Sequence, residues 1–258
     1  MTNLLPDAPA TISSHFTHGR QGHKLKLVQA GAGILRCDGC MEHGGDGPRY
    51  RCEPCNFDLH TCCALSPATR EHHLFPGCTF VLLDEPPFPA GGRTCDACGE
   101  GVHAHGLVYH CYDRGDDGLG LDLHPTCASL PPRFAVGGRD FELRKETSRR
   151  CAECGERCRR FWFYRSHVDG EAVYLHVACL KRMQNGAAVQ SMQVIMSSPA
   201  MEGVLRSLPA RRRATAAAGG GLKRFLTIVA GAIRVIIGII FGDPTFLIEV
   251  AVGSILNF

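Results

Sequence analysis

The segment "YRCEPCNFDLHTCC", residues 50–63, decides how this chain folds. It contains a Cys-x-x-Cys pair, Cys52 and Cys55, and then a Leu-His-x-x-Cys group that ends at Cys63. Such pairs, interleaved with histidine, are typical of tetrahedral zinc sites, because a tight turn directs two soft thiolates at one ion. The segment therefore predicts a fold that is held together by metal.

The composition of the 258-residue chain supports this prediction. It has 15 Cys, 13 His and 30 Gly, which suits small modules stapled by metal better than one large apolar core. The first residues show no secretory signal, so we expect an intracellular protein in a reducing compartment, in the cytoplasm, at the cytosolic face of a membrane or in the nucleus. Zinc is then more suitable than disulfides for stabilising such modules. The formal net charge of +3 is too small to predict a specific nucleic-acid partner.

The metal pattern occurs three times. Each copy begins with a Cys-x-x-Cys pair, and these pairs recur at intervals of 58 and 56 residues: "CDGC" at 37–40, "CDAC" at 95–98 and "CAEC" at 151–154. Each copy ends with Leu-His-x-x-Cys: "LHTCC" at 59–63, "LHPTC" at 123–127 and "LHVAC" at 175–179. Five short segments predict strands: "HKLKLV" from His23, "CTFVLL" at 78–83, "DFELR" at 140–144, and "FWFYRS" paired with "EAVYLH" across Asp169-Gly170. The Leu-His-x-x-Cys group leads into a short helix. The predicted fold class is three tandem, zinc-stabilised α+β modules, each a small β-sheet with a short helix.

The three copies differ in how many ligands they offer. The first copy has eight donors, enough for two four-coordinate ions. In the second copy one half of these donors has shrunk to Cys111, and in the third copy that half is missing. A crossed division, in which the first Cys pair joins the Leu-His-x-x-Cys group, keeps one complete site in each copy. It predicts one zinc on Cys95, Cys98, His124 and Cys127, and another on Cys151, Cys154, His176 and Cys179.

The first copy reads His-x13-Cys-x2-Cys-x11-Cys-x2-Cys-x4-His-x2-Cys-x8-His, with "CDGC" and "FDLHTCCAL" inside it. This order resembles the plant cysteine/histidine-rich, divergent C1 domain, a relative of the zinc finger that binds diacylglycerol and phorbol esters. The resemblance implies one zinc on Cys37, Cys40, His60 and Cys63, and a second on His23, Cys52, Cys55 and His72. His18 is an alternative to His23, and His73 to His72. The expected cofactor is zinc, about four ions per chain.

Closed four-ligand sites leave no position for a substrate, so we expect a protein without catalytic residues. The predicted function is an adaptor for a protein partner that the sequence does not identify, in plant signalling or stress responses as the resemblance implies. One alternative is a thiol–disulfide oxidoreductase that uses the Cys-x-x-Cys pairs, although no βαβ pattern accompanies them. Another is a diacylglycerol-like lipid sensor, but the Gln-Gly that precedes the third motif cysteine in lipid-binding relatives is replaced here by residues 48–50. The roles of Cys62, Cys78, Cys111 and Cys158 stay open.

The predicted modules cover residues 15–75, with two zinc sites, and residues 76–135 and 136–183, with one site each. A linker at 184–221 and a hydrophobic helical tail at 222–258 follow. Residues 225–241 contain one charge, Arg234, in 17 residues, whereas a bilayer span needs about 20 apolar residues. We expect this tail to contact a membrane, with the preceding basic residues on the cytosolic side. The alternative is a helical pair that oligomerises or packs on the zinc modules.

Overall fold

The computed structural model describes ten stretches of the chain: residues 8–18, 22–29, 35–44, 48–87, 92–113, 119–136, 139–145, 149–157, 160–168 and 170–182. These residues form three small β-rich modules, each built on a four-stranded antiparallel sheet. The predicted linker and hydrophobic tail lie outside the described residues. Within the described stretches, no helix has the length and apolar character that a bilayer span requires.

The modules follow one another along the chain. The first contains β1 (Thr11–Ile12), β2 (Leu25–Val28), β3 (Leu35–Arg36), β4 (His43–Gly44), β5 (Arg49–Cys52), β6 (Phe57–His60) and helix α1 (Thr61–Ala64). The second contains β7 (Thr69–Glu71), β8 (Thr79–Leu83), β9 (Val108–Cys111), β10 (Leu121–Leu123) and helix α2 (Pro125–Ala128). The third contains β11 (Arg133–Val136), β12 (Arg139–Arg144), β13 (Phe163–Val168) and β14 (Glu171–His176), and residues 177–182 after it are helical.

The three sheets have the same topology. Their strand orders are β1-β2-β5-β6, β7-β8-β9-β10 and β11-β12-β13-β14, and every neighbouring pair is antiparallel. The last two strands form a hairpin whose end carries the Leu-His-x-x-Cys group. The strands predicted from alternation are present: β2, β8, β12 and the hairpin β13–β14. The other strands, among them the first strand of each sheet, were not predicted, and each of them has only two to four residues.

One buried tyrosine lies at the centre of each sheet, and it fixes a common register. A leucine of the second strand pairs with this tyrosine of the third strand: Leu27 with Tyr50, Leu82 with Tyr109, and Leu143 with Tyr164. Each tyrosine is completely buried, and its hydroxyl donates a hydrogen bond to a proline carbonyl just before the first strand. The acceptors are Pro9, Pro67 and Pro131, at 2.6, 2.7 and 2.8 Å. Residues of the three modules can therefore be compared position by position.

The strand pairing differs from the module boundaries expected at residues 75/76 and 135/136. Strand β7 pairs with β8 of the second sheet, although the prediction assigned its residues to the first module. Strand β11 likewise pairs with β12 of the third sheet. The physical reason is the tyrosine–proline hydrogen bond, which ties each first strand to the sheet that follows it. Sheet membership thus places the boundaries near Pro67 and Pro131.

The modules also pack on one another through their first Cys-x-x-Cys turns. We call these turns the first, second and third knuckles, residues 37–41, 95–99 and 151–155. The Leu107 N–H of the second module donates to the Gly39 carbonyl of the first knuckle at 2.8 Å. The Trp162 N–H of the third module donates to the Ala97 carbonyl of the second knuckle, also at 2.8 Å. Leu107 and Trp162 each stand two residues before the central tyrosine of their module. The same contact between modules, which we call a joint, therefore occurs twice.

Candidate metal centres

Three clusters of four ligands lie at corresponding places in the three modules. In each cluster the knuckle supplies two thiols, the end of the hairpin supplies a histidine, and the helical turn after it supplies the last cysteine. The clusters are Cys37, Cys40, His60 and Cys63; Cys95, Cys98, His124 and Cys127; and Cys151, Cys154, His176 and Cys179. The structure thus brings together the sets that the crossed division joins, with donor atoms within 4.8 Å of one another.

The distances within the clusters match a tetrahedral zinc site. Zn–S and Zn–N bonds of about 2.3 and 2.0 Å place a sulfur and a nitrogen ligand about 3.5 Å apart, and two sulfurs about 3.8 Å apart. The histidine Nδ1 lies 3.4 Å from Cys40 Sγ in the first module. The corresponding distance is 3.5 Å in both the second and the third module. Cys151 and Cys179 Sγ are 3.8 Å apart. The donor sets therefore fit zinc, which would act as a structural ion and stabilise each module.

The backbone supports each cluster in the same way. The N–H of the ligand histidine donates to the first knuckle cysteine at 3.4 Å in all three modules. This bond stabilises the thiolate form that zinc requires and fixes the hairpin end against the knuckle. In the second module, His124 Nε2 also lies 3.2 Å from the Gly101 carbonyl, which selects Nδ1 as the free ligand atom.

The first cluster holds opposite charges together. Burial is the largest influence on the pKa of Cys37 and raises it, but hydrogen bonds from Cys40 and Cys63 and the charge of His60 bring that pKa well below its ordinary value. Burial lowers the pKa of His60, but the Cys37 thiolate outweighs it and raises the pKa to about 9. Zinc binding must therefore displace a proton from His60 near neutral pH.

A fourth group lies at the other end of the first sheet. It contains His18, Cys52 and Cys55, with ligand atoms within 4.8 Å of one another. His23 Nδ1 lies 3.1 Å from Cys55 Sγ, so it is next to this group but not within reach of every member. His18 is buried and His23 is exposed. The structure thus places both N-terminal histidines beside the second Cys pair, and they can complete a two-cysteine, two-histidine set.

His72, expected as the last ligand of that site, contacts other residues. Its ring stacks on Trp162 at 4.4 Å and lies 4.6 Å from the ring of His73. Its Nδ1 accepts the Leu74 N–H at 3.3 Å. Burial, aided by His73 and Arg70, lowers the pKa of His72 to about 3, so the ring is neutral. It follows β7 in the second sheet and contributes to packing between modules instead of joining Cys52 and Cys55.

The second module contains a disulfide where the first module has its second metal group. Cys78 and Cys111 are bonded, and both are completely buried. Cys78 stands four residues before Leu82, as His23 stands four before Leu27, and Cys111 is the register equivalent of Cys52. In the sequence, Arg114 stands where the first module has Cys55, so only two thiols remain there. The roles of Cys78 and Cys111 were open from sequence, where zinc was preferred to disulfides, and the structure makes them disulfide partners. The alignment of "CTFVLL" with "HKLKLV", which places Cys78 at the position of His23, is the sequence signal for this pair.

We expect the double substitution Cys78→Ala/Cys111→Ala to lower the free energy of unfolding by about 2–4 kcal/mol, because the bond closes a long loop in the unfolded chain. The loop joins residues 33 apart in sequence. Denaturant unfolding in zinc-containing buffer measures the change. Cys62→Ala is the matched control: Cys62 is buried but outside the disulfide and the clusters, and its loss should cost about 1 kcal/mol. Equal losses of unfolding free energy in the two variants would contradict a stabilising disulfide between Cys78 and Cys111.

Sequence reasoning also missed a largely buried ion cluster between the modules. Glu42, just after the first knuckle, accepts a hydrogen bond from the Thr126 hydroxyl at 2.6 Å and pairs with Lys181. It also lies 3.4 Å from His124 Nδ1 of the second metal cluster. Burial raises the pKa of Glu42, but Lys181 and then His124 outweigh it and lower that pKa. One carboxylate of the first module thus binds side chains of the second and the third.

The comparisons with known proteins agree with this geometry. A family model described as "C1 domain" matches residues 18–64, which span the ligands of the first module. Neither the curated proteins nor the solved structures contain a match to the chain. Together, the family match and the repeated clusters define the class: a zinc-binding protein built from small Cys/His-rich modules, the first of which is similar to a C1 domain.

Proposed function

We propose that this chain is a non-enzymatic adaptor that presents rigid, zinc-held loops to a protein partner inside the cell. The observation that carries the proposal is the closed ligand set of each knuckle cluster, in which four protein donors lie within 4.8 Å of one another. Four protein ligands leave no coordination position for a water or a substrate, so zinc would stabilise the fold and not catalyse a reaction. Loops fixed by metal lose little conformational freedom on binding, which favours recognition.

The main competing function is thiol–disulfide exchange through the Cys-x-x-Cys pairs. That reaction needs an accessible thiolate, commonly at a helix N-terminus. Here the pairs face a histidine and a third cysteine, and the disulfide Cys78–Cys111 is completely buried. These contacts favour metal binding over turnover. A role in plant signalling or stress responses is part of the proposal and rests on the resemblance of the first module alone.

We expect the zinc-loaded chain to show no turnover with a small disulfide substrate. The test is to supply reduced glutathione and the substrate, and to measure thiol release before and after chelation, with glutaredoxin, which glutathione reduces, as the positive control. Metal-bound thiolates react slowly, so little release is expected until zinc is removed. Steady turnover by the zinc-loaded protein would instead assign the chain to the oxidoreductases.

The proposal also includes membrane contact through residues 222–258, which lie outside the described part of the chain. Its support is the apolar composition of residues 225–241, after the basic group Arg211, Arg212 and Arg213. Flotation of the full chain with vesicles of anionic and of neutral phospholipid tests it. Flotation with neither vesicle type would exclude a membrane role and leave the adaptor role standing.

A further inference from the structure

The three knuckle clusters differ in how well they shield their second knuckle cysteine. Cys40 and Cys98 are 2 % and 4 % exposed, whereas Cys154 is an exposed residue. The other two thiols of the third cluster, Cys151 and Cys179, are 2 % and 1 % exposed. Every other free cysteine of the described stretches is buried or half-buried. One thiol of one metal cluster is therefore open to a reagent in solution.

The joints between modules account for this difference in exposure. At the first joint, Gly106 lies so close to Cys40 that a Cβ on this glycine would be 3.0 Å from the Cys40 carbonyl. At the second joint, the ring of Phe161 occupies the place that a Cβ on Gly99 would take, directly after Cys98. The third knuckle is the last of the three. Within the described stretches, no atom lies within 4 Å of the Cβ position of its fifth residue.

Exposure decides which cysteine of such a protein an oxidant reaches first. A thiol that binds zinc does so as the thiolate, and the thiolate is also the form that peroxides oxidise. All cluster cysteines share this property when zinc is bound, so access distinguishes them. Cys154 has that access, and Cys55, which lies beside the fourth metal group, is only half-buried. We therefore expect Cys154 to react before the other described cysteines.

The third cluster also contains a partner for the second step of an oxidation. Its four ligand atoms lie within 4.8 Å of one another. Cys154 Sγ is 3.5 Å from the ring of His176, and the Sγ atoms of Cys151 and Cys179 are 3.8 Å apart. A sulfenic acid at Cys154 would therefore stand next to two further thiolates, and sulfenic acids condense with thiolates to give disulfides.

The same cluster holds the helical turn that connects the third module to the others. Residues 177–182 contain the ligand Cys179 and also Lys181, which binds carboxylates of the first and second modules. The Val177 N–H donates to the Trp162 carbonyl at 3.1 Å, and the Trp162 N–H donates to the second knuckle. A change in the third cluster is thus transmitted directly to the second joint.

We propose that the third metal cluster is a peroxide-sensitive switch, with Cys154 as its site of oxidation. The Cys154 thiolate attacks one oxygen of the peroxide, the O–O bond breaks, and a sulfenic acid and a hydroxide ion form. A second thiolate of the cluster attacks the sulfenic sulfur, forms the disulfide bond and expels another hydroxide ion. Two thiolates lose two electrons in total, and one peroxide molecule gains them. His176 and one thiolate remain, too few donors to retain zinc.

Oxidation thereby opens the joint between the second and third modules. The turn of residues 177–182 is no longer held through Cys179, and Lys181 leaves its carboxylates. A thiol reductant and added zinc reverse the change, because thiol exchange restores the cysteines. This inference goes beyond the proposed adaptor function, since it requires only that the third cluster holds zinc.

The experiment treats the zinc-loaded full chain with hydrogen peroxide. A chromogenic zinc indicator measures released zinc, the emission of Trp162 reports on the joint, and peptide mapping by mass spectrometry identifies the oxidised cysteines. Cys154→His is the test variant, because imidazole binds zinc but forms no disulfide, and the exposed position has room for it. Cys158→Ser is the control, because Cys158 is the next cysteine in the sequence and lies outside the described stretches.

We expect about one zinc ion per chain to be released first, together with a disulfide at Cys154 and a shift of Trp162 emission to longer wavelength. Cys154→His should retain its zinc and slow this release at least about 5-fold, and Cys158→Ser should leave the rate unchanged.

Oxidation that maps first to another cluster, or zinc release that is indifferent to Cys154→His, would overturn the proposal. Protection of Cys154 by residues outside the described stretches would give that result. Zinc release that depends on Cys158 would overturn it as well. Release with unchanged Trp162 emission would overturn the opening of the joint.

Discussion

Removal of zinc from the full chain should unfold all three modules. Structural zinc contributes about 10–16 kcal/mol to the folding of small zinc-finger domains, whereas the net stability of a whole domain is only about 5–15 kcal/mol. Each sheet has four short strands around one buried tyrosine, which is too small a core to replace that contribution. The metal-free modules should therefore lose their sheets even though the disulfide Cys78–Cys111 stays intact.

Trp162 makes this result measurable. It is the only tryptophan of the chain, it is 1 % exposed, and it stacks on the ring of His72 at 4.4 Å across a joint. Chelation should shift its fluorescence to longer wavelength and abolish the near-UV circular dichroism, and added zinc should restore both. Elemental analysis of the starting material should give about four zinc per chain, three in the knuckle clusters and one beside Cys52 and Cys55. The control is a second sample treated with chelator already saturated with zinc.

Two other outcomes would change the assignment of four structural zinc ions to this chain. Three zinc per chain would show that His18, Cys52 and Cys55 do not hold a metal, and would leave the three knuckle clusters intact. Retention of the native near-UV spectrum without zinc would contradict the view that metal supports these modules. In that case the cysteine pairs would be free for thiol chemistry.

The parts of the fold that sequence predicts are those encoded by near neighbours. Cysteine spacing fixes a knuckle, because two thiols separated by two residues can meet one ion only through a tight turn. Alternating polarity predicts β8 and β12 for the same kind of local reason. Strand β1, Thr11–Ile12, is too short to show alternation, and it is positioned by the hydrogen bond of the distant Tyr50 to Pro9. Contacts of that kind are not visible in a local pattern.

The metal sites also divide into those that local spacing predicts and those that depend on distant contacts. The knuckle clusters follow from the comparison of three copies, because the crossed set is the one that all copies keep. The choice among His18, His23 and His72 depends on how loops fold back on the sheet, and spacing does not determine that. His72 packs on Trp162, a residue of the third module, so its place could not be predicted from the first module alone.

The ion cluster around Glu42 leads to the second large effect, because three modules share one largely buried carboxylate. The Glu42 side chain is 13 % exposed and that of its partner Lys181 is 16 % exposed, and 139 residues separate them in sequence. Glu42→Ala should lower the free energy of unfolding by about 2–4 kcal/mol, because the largely buried Lys181 ammonium group keeps only the more exposed Glu100 as a partner and the Thr126 hydroxyl loses its acceptor. Denaturant unfolding of the zinc-loaded chain measures the loss.

The repeat supplies matched controls, since the same glutamate occurs in every module at a different depth. Glu100 also pairs with Lys181, but its side chain is 39 % exposed, so Glu100→Ala should cost only about 1 kcal/mol. Glu156 is exposed, and Glu156→Ala should change stability by less than about 0.5 kcal/mol. Zinc content should be the same in all three variants, because none of these carboxylates belongs to a four-ligand cluster. Equal losses at the three positions would mean that burial between modules does not strengthen the Glu42 pair, and the joint would then depend on the backbone bonds at Gly39 and Ala97.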